Sequence, residues 1–123
     1  MNIQEAVLGL RAFVPSKDFE KSKAFYRDFG FLEEWSSGDL CLFKAGVFSF
    51  FLQKFYSKEM ADNFMLDLRV SDVDAVWETV KHLGDKHEGV KVRAPRDESW
   101  GLREIHIIDP AGVCWHISAS IKK

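Results

Sequence analysis

At 123 residues the chain can hold one ordinary domain or one fused pair of half-domains, and a second independent core is excluded. With 46% hydrophobic and 29% charged residues it belongs with globular chains, not with disordered, collagenous or membrane-spanning ones. A formal net charge of −2 removes the global attraction that drives nonspecific nucleic-acid binding, and no apolar run approaches the ~20 residues that span a bilayer.

Met1 to Leu10 has no basic start ahead of a long apolar stretch and contains Asn2, Gln4 and Glu5, so no cleaved secretory signal is expected and the chain reads as cytoplasmic. Val7 to Val14 reads as a strand closed by Pro15, which cannot donate to a ladder. Asp18 is placed to cap a helix whose face carries Phe19, Ser22, Phe25, Tyr26 and Phe29, with Gly30 as its stop. Three short strand-like runs follow: Leu32 to Trp35, Leu40 to Phe43 and Val47 to Phe55.

The same order then returns. Phe64 to Val70 is strand-like, Ser71 or Asp72 can cap, and Val73, Val76, Trp77 and Val80 form a second helical stripe before Gly84. The runs Val90 to Arg93, Arg103 to Ile108 and Val113 to Ser118 complete the set, with Lys81 to Ser99 read as loops around one short strand. The two candidate caps, Asp18 and Asp72, lie 54 residues apart. The chain is therefore expected to be a single α+β domain, 1–123, of two tandem βαβββ modules, about 1–60 and 61–123, forming curved mixed sheets around a cleft. A ferredoxin-like or other α+β sandwich is the rival architecture. Cys41 and Cys114 make no disulfide framework or C-x-x-C spacing and read as buried small hydrophobes.

The segment from Val14 to Phe31, with Pro15-Ser16-Lys17-Asp18-Phe19 at the strand-to-helix turn and Phe25-Tyr26 in the helix, resembles the first module of the vicinal oxygen chelate superfamily. That superfamily groups glyoxalase I, extradiol dioxygenases, fosfomycin resistance enzymes and bleomycin resistance proteins. Trp100-Gly101, Arg103-Glu104 and Asp109-Pro110-Ala111-Gly112 are similar to a stretch of the bleomycin resistance proteins. The resemblance implies a paired βαβββ fold, usually a homodimer, with ligand crevices where modules meet.

Metal-dependent members hold an ion with His, Gln and Glu from four strands. The resemblance places those positions on Gly9 or Arg11, near Phe51 with Gln53 two residues on, on Phe64 or Met65, and on His116. One histidine and one glutamine are too few for a catalytic ion, so neither a metal nor another cofactor is expected. Among the other histidines, His82 and His87 read as solvated groups near a helix end. His106 must point opposite to Ile105 and Ile107, toward solvent or cleft.

Eleven phenylalanines and four tryptophans exceed what the core of so small a domain requires. Trp77 and Phe25 lie on the helical stripes, whereas Trp35 and Trp100 stand beside polar segments, where rigid rings can stack on a planar ligand. The resemblance matches both to aromatic residues that line a drug groove. Ser49, Phe51 and Gln53 share a strand face, an aromatic wall with two neutral polar handles. Asp67 and Glu104 could attract a cation, and no nucleophile elbow or glycine-rich phosphate loop is present.

Together with the resemblance, these residues point to a non-catalytic protein that binds and sequesters a planar, cationic aromatic molecule through Trp35, Ser49, Phe51, Gln53, Trp100 and His116, with no nucleic-acid or membrane partner; the resemblance implies a ligand of the bleomycin type and a homodimer. The alternatives are a metal-dependent glyoxalase- or dioxygenase-like enzyme built around His116 and Gln53, and an interaction module whose groove is filled by its own aromatics.

Overall fold

In the computed structural model, which describes residues 1–122, the chain opens with a single turn of helix, α1 (Ile3–Ala6), and a short strand, β1 (Phe13–Pro15). The first module continues through α2 (Phe19–Phe29), β2 (Leu32–Ser36), β3 (Leu40–Ala45) and β4 (Phe48–Gln53). A linking helix α3 (Lys58–Asp62) leads to β5 (Met65–Arg69), α4 (Val73–Val80), α5 (Leu83–Lys86), β6 (Lys91–Asp97), β7 (Leu102–Ile108) and β8 (Cys114–Ser120). The strands form two four-stranded sheets, ordered β1-β4-β3-β2 and β5-β8-β7-β6, so the βαβββ repeat read from the sequence is the observed topology. In each sheet the first and last strands of the module run parallel and the other pairs antiparallel. No helix among the described residues is long and apolar enough to cross a membrane.

The long helices form where local chemistry directs them. Asp18 accepts a hydrogen bond from the Lys21 amide at 3.1 Å, and Asp72 does the same for Ala75 at 3.1 Å, which satisfies amides that have no partner within the helix. The stripe Phe19, Ser22, Phe25, Tyr26 and Phe29 is buried. Gly30, at φ 122°, then turns the chain where a side chain would be strained.

One core spans both modules. Phe50 of β4 and Trp115 of β8 meet with ring centroids 5.3 Å apart, and the Tyr26 ring lies 5.1 Å from Phe50 and 5.8 Å from Trp115. The Tyr26 hydroxyl donates to Asp109 Oδ2 at 2.6 Å and accepts from the Trp115 indole at 2.9 Å. Asp109 Oδ1 accepts from the amides of Ala111 and Val113 at 2.8 and 2.9 Å. The Asp-Pro-Ala-Gly turn of the second module is thereby pinned to the Phe-Tyr pair of the first.

Several expectations need correction. Of the expected strand Val7 to Val14 only Phe13 and Val14 pair with β4, in a strand that includes Pro15, and Val7, Leu8 and Leu10 are exposed because no strand among the described residues pairs with them. The second helix ends at Val80, before Gly84 as read. Lys81 and His82 keep right-handed helical backbone, and the chain enters α5 with Gly84 inside it. The first sheet's last strand ends at Gln53, short of Phe55. The strand read as Val90 to Arg93 extends through Pro95 to Asp97, tolerated because β6 is an edge strand with an irregular register between Arg93 and Arg96. Cys41 is buried as expected, but Cys114 is only partly so.

Candidate functional site

Strand alternation decides which side chains are available. Because Phe50 and Trp115 point into the shared core, Phe51 and His116, one residue on in each strand, point away from it. The two sheets therefore present outward faces of opposite character.

On the first sheet, the pairing register lines up Phe13, Phe51, Leu42 and Trp35 in one row across all four strands. Phe13 stacks on Phe51 at 4.8 Å, Trp35 lies 6.0 Å from Phe51, and the Arg11 guanidinium sits 4.9 Å above the Phe51 ring. Phe13 is 49% exposed and Trp35 is 44% exposed, so the row forms an open apolar surface. A bulge in β2 makes this possible: the register shifts between Glu33 and Trp35, which places Trp35 opposite Leu42 instead of Glu34. Ser49 and Gln53 flank Phe51 on the same face and are half-buried.

On the second sheet the corresponding row is Asp67, His116, His106 and Arg93. Glu104, two residues before His106 on β7, is 4% exposed. Its Oε1 lies 2.8 Å from His106 Nε2 and 3.1 Å from His116 Nδ1, while Oε2 accepts from the Trp100 indole at 2.8 Å. The imidazole centroids are 4.2 Å apart. Burial pushes the Glu104 carboxyl up, but the hydrogen bonds from His106, Trp100 and His116 outweigh it and hold the pKa at about 2. Glu104 is thus a carboxylate at every physiological pH. Trp100 reaches it because the loop before β7 folds back through Gly101, at φ 91°, with the Glu98 amide bonded to the Leu102 carbonyl at 2.8 Å. At the neighbouring positions, Ser118 donates to Asp67 at 2.7 Å, and Arg93 donates to Glu98 at 2.8 Å and to the Glu104 carbonyl at 3.0 Å.

The six residues singled out from the sequence fall into two groups. Trp35, Ser49, Phe51 and Gln53 share the apolar face, and Trp100 and His116 share the polar one. Within one chain, no hydrogen bond or ring contact among the described residues joins the groups, so Gln53 and His116 do not form a ligand pair there. His106, left open between solvent and cleft, stands beside His116. Glu104 proves to be the centre of the polar group, not a solvated charge. Phe13, Leu42 and Arg11 were not anticipated; alternation marks Phe13 as facing away from Val14, but its neighbours follow only from register. His87 has a partner, Asp28 on α2, at 2.8 Å, and so ties the modules together near the end of α5.

The metal positions implied by the resemblance do not fit an ion. Arg11 is a cation lying over a ring, Phe51 is stacked on Phe13, and Met65 is exposed opposite Cys114. Only His116 offers a donor at those positions.

Comparison with known proteins bears on the fold. A bleomycin-binding protein solved in complex with bleomycin superimposes with a TM-score of 0.78 at 21% identity, covering 94% of this chain and 100% of that one. The bleomycin-binding protein of Streptomyces verticillus, complexed with copper(II)-bleomycin, gives 0.78 at 24% identity, covering 94% and 98%. A lactoylglutathione lyase from Agrobacterium tumefaciens gives 0.67 at 19% identity, covering 93% of each chain. At these identities the likeness establishes the fold. No curated protein sequence matches the chain. The family model of the Glyoxalase/Bleomycin resistance protein/Dioxygenase superfamily matches residues 9–117, and the chain belongs to that superfamily.

Proposed function

We propose that the protein binds and sequesters a planar, cationic aromatic small molecule, without converting it, in a crevice between the aromatic face of one copy and the polar face of a second copy in a homodimer. The observation that carries this reading is the row Phe13, Phe51, Leu42 and Trp35: three rings and a leucine held in register on the open face of a sheet. Rigid rings offer stacking area at little entropic cost, and a ring stands where the metal-dependent relatives would place a ligand. An apolar face this open on one chain favours being covered. Because it points away from the shared core, a second copy can cover it where the chain's own second module cannot. The Glu104 carboxylate and exposed Asp67 on the polar face supply the attraction for a cation.

Tryptophan fluorescence tests the proposal, with bleomycin as the first probe because solved structures of the same fold bind it, and acridine-type cations as the second. Saturable quenching is expected, reduced in Trp35→Phe and Trp100→Phe and weakened at least tenfold in Phe51→Ala, while the core residue Trp115 goes on emitting. No response to either probe class, or sedimentation as a monomer at micromolar concentration, would count against it.

A further inference from the structure

We propose that Glu104, His106 and His116 form a binding site for one divalent transition-metal ion of the zinc, cobalt, nickel or copper class on the outward face of β7 and β8. One ligand atom from each residue lies within 4.8 Å of the others, and both imidazole nitrogens already converge on Glu104 Oε1 at 2.8 and 3.1 Å. An ion with bonds of about 2.0–2.2 Å in a near-tetrahedral shell holds its donors roughly 3 to 3.5 Å apart, close to the two oxygen–nitrogen separations already present. The donors stand on a ladder: His106 and His116 are register partners, and Glu104 precedes His106 by two residues on the same face.

Two imidazoles and one carboxylate suit borderline cations. Magnesium and calcium take oxygen donors and are disfavoured here. The carboxylate is already oriented, because the Trp100 indole holds its other oxygen, the kind of outer support that fixes a ligand's direction. Three protein donors leave a fourth position for water or a donor atom of a bound molecule. On loading, the two N–H···O contacts break and one oxygen and two nitrogens bond the ion. Each ring bonds the ion through the nitrogen that faces Glu104 and keeps one proton on its other nitrogen, Nδ1 of His106 and Nε2 of His116, any second ring proton passing to solvent, and no electron is exchanged.

Two of the three donors come from β7, a strand outside the set of positions tested above. The site lies on the polar face that attracts the cation in the reading above and shares Glu104 with it, so metal uptake is measured without any organic ligand present. The full-length chain, stripped with a chelator, is titrated with Zn²⁺ by calorimetry and with Co²⁺ by visible absorption. One ion per chain is expected, with the intense visible bands of four-coordinate Co²⁺. His106→Ala and His116→Ala should each weaken binding at least 100-fold, Trp100→Phe about 10- to 100-fold, and His87→Ala not at all. Glu104→Gln, which keeps the buried volume, provides a second ligand variant if either alanine variant misfolds, and should also lose at least tenfold. Absence of saturable binding, affinity unchanged from the wild-type chain in the His106 and His116 variants, or loss only in His87→Ala would overturn the site. Drug quenching with no metal uptake, or the reverse, separates this proposal from the preceding one.

Discussion

Replacing Tyr26 with phenylalanine tests the account of how the two modules are joined. The hydroxyl donates at 2.6 Å to Asp109 and accepts at 2.9 Å from Trp115, all three groups being buried. A hydrogen bond to a charged acceptor contributes about 1.5–3 kcal/mol, and a buried N–H left without an acceptor costs about 1–3 kcal/mol. Tyr26→Phe should therefore destabilise the fold by about 3–5 kcal/mol, a large share of the ~5–15 kcal/mol typical of a domain. Urea unfolding should show a lower midpoint at unchanged slope. The pH dependence follows from Asp109. Burial raises its pKa, and the Tyr26 hydrogen bond is the first of several that pull it back. With its folded pKa above the unfolded value, protonation of Asp109 contributes stability that is full below the unfolded pKa, ~3.9, and is lost as pH rises through the folded pKa. Removing the hydroxyl raises the folded pKa further, so the penalty of Tyr26→Phe should be largest at neutral pH and shrink as pH falls toward 4. A cost below about 1 kcal/mol at pH 7, or one that grows on acidification, would refute the reasoning.

Other consequences are checked by thermal or chemical unfolding. Gly30→Ala places a side chain at φ 122° and should cost about 1–2 kcal/mol, whereas Gly9→Ala, in open space, should leave the midpoint unchanged. Asp18→Ala removes the cap of α2 and should cost about 1 kcal/mol, with Asp18→Asn or Asp18→Ser recovering most of it. If the aromatic face is the dimer and ligand surface, Phe51→Lys should shift sedimentation toward monomer while the far-ultraviolet dichroism stays as it was, since Phe51 lies outside the common core.

The fold was legible because its signals are local and repeated. Asp18 and Asp72 cap helices through amides three residues away, the α2 stripe follows from helical spacing alone, and the second module restates the first. The order strand, helix, three strands leaves few ways to assemble such units. The aromatic character of Phe51 and its place beside Ser49 and Gln53 were also legible, since alternation along one strand is a property of consecutive residues.

What the tertiary structure alone decided is every feature that depends on which strands are neighbours and in what register. Val7 to Leu10 has the alternation of a strand, but pairing needs a partner, and no described strand of the chain pairs with it. Trp35 reaches the aromatic row only through a bulge, which the residues Glu33, Glu34 and Trp35 do not announce. His106 was known to oppose Ile105 and Ile107, yet its meeting with His116, and of both with Glu104, required β7 to lie against β8 with position 106 opposite 116. Residues ten or more apart acquire chemistry together only when backbone hydrogen bonding sets their side chains on one face. Sequence spacing encodes the face within a strand; the alignment between strands is chosen by the packing of the whole core.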